Sequence, residues 1–260
     1  MKTHPTTKTS LPVVAAVLLS GLSLGAANTN QWETSAAAGL TLTRGNSETL
    51  LGNLTLNSSR KWPRDEVLLG ASATYGEQTT EQQLEKQDGT KIPKDVKETT
   101  TANAGGFGQY NHLFTDEFYG GLRLSALHDS IADVEYRVTI SPLVGYYVIK
   151  NPKTQLAFEA GPSLVFEKQG RDQDEYVALR FAERFEHKFS DKAKMWQSVE
   201  YLPQIDEFHN YIVNFEIGAE ASLTEKLSLR GVIQDNYDND PAPGRKNNDI
   251  KLITSLVYKF

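Results

Sequence analysis

The sequence predicts an all-β chain, folded as a single transmembrane antiparallel up-and-down β-barrel of about twelve strands. Three observations predict it. The last stretch alternates with a period of two and stops on an aromatic. The first stretch has the layout of an export signal. Between them, short and long connections take turns along the chain.

The last stretch places Asn248, Ile250, Leu252, Thr254, Leu256, Tyr258 and Phe260 on one face. Asp249, Lys251, Ile253, Ser255, Val257 and Lys259 take the other. A period of two marks a strand with two differently solvated sides. In a membrane barrel the last strand closes against the first, and outward aromatics lie at the interfacial girdle. Leu256, Tyr258 and Phe260 also resemble the terminal signal read by bacterial barrel-assembly machinery.

At the other end, Lys2 and Lys8 precede an apolar stretch from Leu11 to Leu24, followed by Gly25-Ala26-Ala27-Asn28. That is the three-part plan of a secretory signal peptide, too short to span a bilayer. Residues 1–27 are expected to be removed, with cleavage after Ala27 or, nearly as well, after Ala26; residues 28–260 form the barrel domain. After Asn28 no apolar run is long enough for a membrane helix. The chain has no cysteine, which excludes disulfides, thiolate metal sites and a cysteine nucleophile. A net charge of −6 with mixed signs argues against a nucleic-acid partner. The polar composition suits a barrel, in which only alternate residues meet lipid.

In order, Trp32 to Arg44 sets Ala36, Ala38, Leu40 and Leu42 against Glu33, Thr41 and Thr43, and Gly45-Asn46-Ser47 turns. Thr49 to Arg60 returns, with Leu50, Leu54 and Leu56 opposite Asn53 and Asn57. Lys61 to Asp65 turns, and Val67 to Tyr75 follows. Glu77 to Glu98 reads as the longest loop, a polar hairpin tip. Thr99 to Leu113 is a strand of unclear register, because Phe107 and Tyr110 fall on opposite faces. Phe118 to Ala126 sets Leu122 and Leu124 against Tyr119 and Arg123. The clearest strand has Val134, Tyr136, Val138, Ile140, Val144, Tyr146 and Val148 opposite Glu135, Arg137, Thr139 and Ser141. Leu156 to Phe166 and Val177 to Phe189 follow, with Glu183 out of place on the apolar face. Lys194 to Leu202 is less regular; Tyr211 to Ala221 is clean, and Leu227 to Gln234 leads to a loop at Asp238 to Lys246.

Many of these strands run longer than the five or six residues of an ordinary strand, and a tilted membrane strand needs about ten. With the N-terminus in the periplasm, the connections at 77–98, 128–133, 168–175, 203–209 and 238–246 all fall outside. Those at 61–65, 114–117, 150–153, 190–193 and 224–226 all fall inside. Short periplasmic turns and longer external loops are the outer-membrane pattern.

The inward faces collect charge of both signs, hidden from lipid, where a charge is costly. The acids are Glu33, Glu135, Glu159, Glu167, Glu186, Glu200, Glu216 and Glu220; the bases are Arg123, Arg137, Arg180, Arg184, Lys188, Arg230 and Lys251. The candidate lumen set is Glu135, Arg137, Glu159, Arg180, Arg184, Glu216, Glu220 and Arg230. Twelve strands lie between the filled eight-stranded and the open sixteen-stranded barrel. The lumen therefore reads as either an ion-paired filling or a selective pore. No catalytic, cofactor-binding or metal-ligating set emerges. His187 near Ser190 is the sole pair that would suit a lipid-acting barrel enzyme, and a soluble periplasmic β-sandwich is the other alternative. Asn236, Asp238 and Asp240 have calcium-loop spacing, but Pro241 stands where the loop needs Gly. Expected partners are outer-membrane lipids, the assembly machinery and small solutes.

The runs from Gly39 to Thr49, Gly106 to Tyr110, Trp196 to Pro203 and Pro241 to Gly244 resemble the salt-induced outer-membrane proteins of Gram-negative bacteria, over essentially the whole mature chain. The Arg44-Gly45-Asn46-Ser47 turn is the most specific piece. The resemblance implies an outer-membrane barrel of unknown activity, and its name implies regulation by salt or osmotic stress. It implies no catalytic residue and no substrate.

Overall fold

A computed structural model describes residues 30–43, 47–85 and 91–260, with side chains left aside at 42–47 and 81–93. The expected signal peptide and the Arg44-Gly45-Asn46 turn lie outside the described residues. Twelve strands form one closed antiparallel barrel in sequence order, β12 returning to β1. They are β1 (Glu33–Thr43), β2 (Ser47–Lys61), β3 (Asp65–Glu85), β4 (Lys91–Leu113), β5 (Phe118–Asp129) and β6 (Val134–Lys150). Then come β7 (Thr154–Gln169), β8 (Asp172–Ser190), β9 (Ala193–Pro203), β10 (Tyr211–Ser222), β11 (Leu227–Asp238) and β12 (Asn248–Lys259). A closed barrel replaces the β-sandwich alternative. Among the described residues no helix is long and apolar enough to cross a membrane.

Alternation decides which side chain meets which medium. Leu40, Leu54, Leu124, Val144, Ile233 and Leu252 stand out from the wall, each at least 44% exposed. Their neighbours Asn57, Arg123, Glu159, Arg180 and Gln234 are buried inside. This inverts a soluble protein, and it is the inversion a lipid-facing barrel needs. Around the end where β1 begins and β12 ends, Phe114, Phe118, Phe189, Tyr258 and Phe260 form an exposed aromatic band. Toward the opposite, loop end, outward rings run from Phe181 through Tyr201 and Tyr211 to Tyr237, with centroids 5.6 to 6.5 Å apart.

Two expected loops are strand instead. The segment 77–98 is mostly hairpin: the β3–β4 ladder continues from Glu77↔Thr99 to Glu85↔Lys91 across a bulge at Gly76 and Glu77. β2 follows β3 only to Thr80 and β4 meets β5 only from Asn103 onward, so beyond Thr80 the hairpin is a two-stranded ribbon. Its Thr and Val content supports strand, and a strand with polar residues on both faces carries no apolar alternation to reveal it. The segment 168–175 shrinks to a turn at Gly170, because β7 and β8 pair as far as Gln169↔Asp172. Gly170 takes the left-handed conformation, φ 62°, that this tight reversal demands.

The seam is the least paired join in the wall. β1 meets β2 at eleven positions but β12 at four, from Ser35↔Lys259 to Ala38↔Leu256. Beyond them, Asn53 of β2 reaches over Gly39 to give its amide N–H to Ser255 Oγ of β12, at 3.0 Å. Phe260 N–H donates to Thr34 O at 3.0 Å and closes the other end of the seam. A Cβ at Gly39 would overlap both the Thr254 carbonyl oxygen and the Asn53 side chain. Gly39→Val is therefore expected to open the seam and lower the unfolding temperature of the folded, heat-modifiable form. Gly52→Val, with nothing within 4 Å of its new Cβ, is expected to leave that temperature nearly unchanged. Equal shifts in the two variants would refute this account of the seam.

Candidate functional site: the charged lumen

The lumen is built in layers, because every second residue of every strand points into it. Three inward aromatics make room for themselves the same way. Phe107, Tyr119 and Trp196 each lie over the glycine directly across the ladder, Gly70, Gly145 and Gly218. A Cβ at any of these glycines would run into the ring. Such cross-strand ring-on-glycine pairs protect the glycine and pin the register.

Nearest the end where β1 begins and β12 ends, Lys61 pairs with Glu66 at 3.6 Å. Glu66 also accepts from the Tyr147 hydroxyl at 2.9 Å, and Tyr147 packs on Tyr119. On the opposite wall Glu220 takes Arg230 and Lys259, each at 2.8 Å. Glu216 accepts from Trp196 Nε1 at 2.6 Å and from Gln234 at 2.8 Å. Lys194 pairs with Glu186 at 3.3 Å.

Above this layer lies the densest network, centred on Glu159. One of its oxygens accepts from Gln109 (2.8 Å), Tyr119 (2.9 Å) and Arg184 (2.6 Å). The other accepts from Arg180 at 2.9 Å. Arg180 also donates to Glu200 at 2.5 Å, and Asn214 donates to the same carboxylate at 3.2 Å. Arg123 donates to Gln109 Oε1 at 3.2 Å and lies 3.9 Å over the Phe107 ring.

Beyond this network a cavity of about 60 Å³ opens toward the loop end. At about 10–15 Å³ for each water position, it holds a handful of waters. Its floor is Arg123, Arg180 and Glu200, its waist includes Leu202 and Ile212, and its mouth holds Arg137, Asp238 and Asp249. Arg137 on β6 crosses the lumen to Asp238 on β11 at 3.0 Å, and it also holds Glu167 and Gln169.

Three connections cover the mouth. Arg245 N–H donates to Ala242 O at 2.9 Å, and Gly244 has φ 83°. With Pro243 before it, this is the pattern of a type II turn. The resulting strap, 239–247, carries buried Ala242 across to the β7–β8 turn, where Ala242 and Pro243 lie against Gly170. Gly170 N–H in turn donates to Asp133 O of the β5–β6 connection at 2.7 Å. Asn247 closes the strap's base by donating to the carbonyls of Asp238 and Asn239.

Of the expected lumen charges, Arg137, Glu159, Arg180, Arg184, Glu216, Glu220 and Arg230 point inward in these layers. Glu135 does not. A register shift between Val134 and Tyr136 turns Val134 inward and Glu135 outward, where its carboxylate is 61% exposed and pairs with Lys168. Glu33 is exposed at the rim. Glu183, on the lipid-facing side, accepts from Gln197 of the adjacent strand at 3.3 Å. His187 and Ser190 are not joined: His187 bonds Thr154 at 2.9 Å, and Ser190 Oγ accepts from Lys192 N–H. Asp238 is engaged by Arg137, and Asn236 donates to Asn214 at 2.6 Å, so the calcium-loop spacing is used for polar pairing. Sequence reading missed the strap and the ring-on-glycine pairs. The glycines were the available signal, but recognising them needs the register.

An apolar outer wall around a polar, ion-paired interior defines a membrane-type β-barrel with an obstructed lumen. Residues 36–260 match the family described as protein of unknown function, DUF481, and the chain belongs to that family. No curated protein matches it. Among solved structures it is similar to the NanC porin at 9% identity and TM-score 0.46, covering 87% of this chain and 96% of that one. It is similar to the translocator domain of the autotransporter NalP from Neisseria meningitidis at 13% and 0.43, covering 88% and 87%. It is similar to the KdgM porin at 8% and 0.43, covering 88% and 99%. Likenesses this distant say nothing about what enters the lumen.

Proposed function

We propose that the protein is a non-enzymatic outer-membrane barrel whose lumen is a narrow conduit for ions and small solutes, held shut at its loop end. One observation carries this reading: a connected network of hydrogen-bonded charges crosses the interior among its apolar side chains. Apolar packing of equal volume often stabilises as well as buried ion pairs or better. A barrel needing only to be filled would gain little from so many desolvated charges. Charges that can exchange partners suit a path for water and ions. The exposed apolar belt supports placement in a membrane, with lipids and the assembly machinery as partners. Recovery of the mature protein in the soluble periplasmic fraction would sink that placement.

In planar bilayers the refolded mature protein is expected to show small, discrete conductance steps, enlarged when Arg180 and Arg184 are both changed to Ala. A correctly folded barrel that stays silent in both forms would favour the second reading, an envelope-stabilising protein. The small cavity is the observation behind that reading. The link to salt or osmotic stress rests on resemblance alone, and is tested by whether raised NaCl increases the amount of protein in the envelope.

A further inference from the structure

We propose that the cavity floor binds one monovalent anion of chloride size, held between Arg123 and Arg180. The proposal deepens the conduit reading and depends on it only for the consequence that conduction favours anions. Three observations support the site. Arg123 is 2% exposed, yet its polar partner is the neutral Gln109 and its guanidinium lies on a phenyl ring; no carboxylate stands within 4.0 Å among the described residues. Its Nη2 has no partner, and neither has Nη2 of Arg180, which is 1% exposed. Both residues line the same small cavity.

Charge counting points the same way. Arg123, Arg180 and Arg184 face Glu159 and Glu200, leaving one positive charge over in a buried cluster. A buried charge without a counter-charge is strongly unfavourable. One excess charge calls for a monovalent ion. Glu200, on the same floor, weighs against a divalent one. Arg137, paired with Glu167 and Asp238, and the carboxylates Asp129 and Asp249 line the loop end of the cavity, four or more residues along their strands from the level of Arg123 and Ser141, so the excess is local to the floor. Ser125 and Ser141 add hydroxyl groups to the wall, that of Ser141 shared with Ser163 at 2.6 Å. About 60 Å³ admits an ion with a few waters.

The test uses the full mature chain folded in detergent micelles, with sodium chloride as the probe and quadrupolar broadening of the chloride NMR line as the readout. Saturable broadening, competed away by bromide, is expected for the wild-type barrel. Ser141 lies directly across the ladder from Arg123. Ser141→Asp therefore supplies an internal carboxylate and is expected to abolish the saturable broadening while heat-modifiable migration persists. Arg123→Gln is expected to do the same by removing the charge, and it stands in should the first variant fail to fold. Absence of saturable broadening in the folded wild type, or its survival in the folded variants, would overturn the proposal. Saturable binding by a barrel that never conducts would leave this site standing and remove the conduit reading. Conduction without binding would do the reverse.

Discussion

Glu159→Leu is expected to destabilise the barrel by about 3–5 kcal/mol, the cost of breaking a buried ion pair from one side. Glu159 is 3% exposed and is the shared acceptor for Gln109, Tyr119, Arg180 and Arg184, from β4, β5 and β8. A leucine there would fill the space but leave the Arg184 guanidinium without its carboxylate and take one of two from Arg180. Arg180 keeps Glu200 at 2.5 Å; Arg184 has no second carboxylate among the described ion pairs. Glu159→Gln retains an acceptor oxygen and is expected to fall between leucine and wild type. The contrast is Glu135→Leu, at an exposed carboxylate paired only with Lys168, expected to cost about 0–1 kcal/mol. Unfolding midpoints in urea, followed by the mobility of the folded form on a gel, measure all three. Equal losses at 159 and 135 would refute the claim that the Glu159 network holds the wall together.

The same two glutamates show how far the sequence can be read. Both stand on a polar face by simple alternation, and one of them ends outside. Alternation fixes faces only while the register runs unbroken, and the shift at Val134 and Tyr136 breaks it within one residue. The twelve strands, their antiparallel order and the outward Ile250, Leu252 and Tyr258 were legible, because a two-residue period and turn chemistry are local. Lumen pairing was not. Tyr147 meets Glu66 across 81 residues and Arg137 meets Asp238 across 101, distances that only a closed barrel brings together. The ribbon at 77–98 escaped for another reason: its sequence is polar on both faces and shows no apolar contrast. The strap read only as a loop at 238–246, because its landing place against Gly170 lies on a distant pair of strands.

That strap is the basis of the second large effect. Asp238→Ala is expected to raise single-channel conductance several-fold, with a stability change of only about 1 kcal/mol. Asp238 does two things at the mouth. One carboxylate oxygen accepts from Arg137 across the lumen at 3.0 Å. The other accepts from Asp240 N–H at 3.1 Å, fixing the first residues of the strap. Removing both frees Arg137 to fall back on Glu167 and Gln169 along its own wall, and loosens the strap at its root. The wall should survive, because Asp238 N–H still donates to Asn247 O and the β10–β11 ladder does not depend on the side chain. Conductance should then rise with unchanged heat-modifiable migration. Asn247→Ala, which unfastens the strap but leaves the Arg137–Asp238 crossing in place, separates the two contributions. A rise in Asp238→Ala alone would assign the closure to the crossing ion pair, and a rise in both would assign it to the strap. No rise in either variant would place the barrier deeper, at the Glu159 network, where Arg180 and Arg184 span the interior.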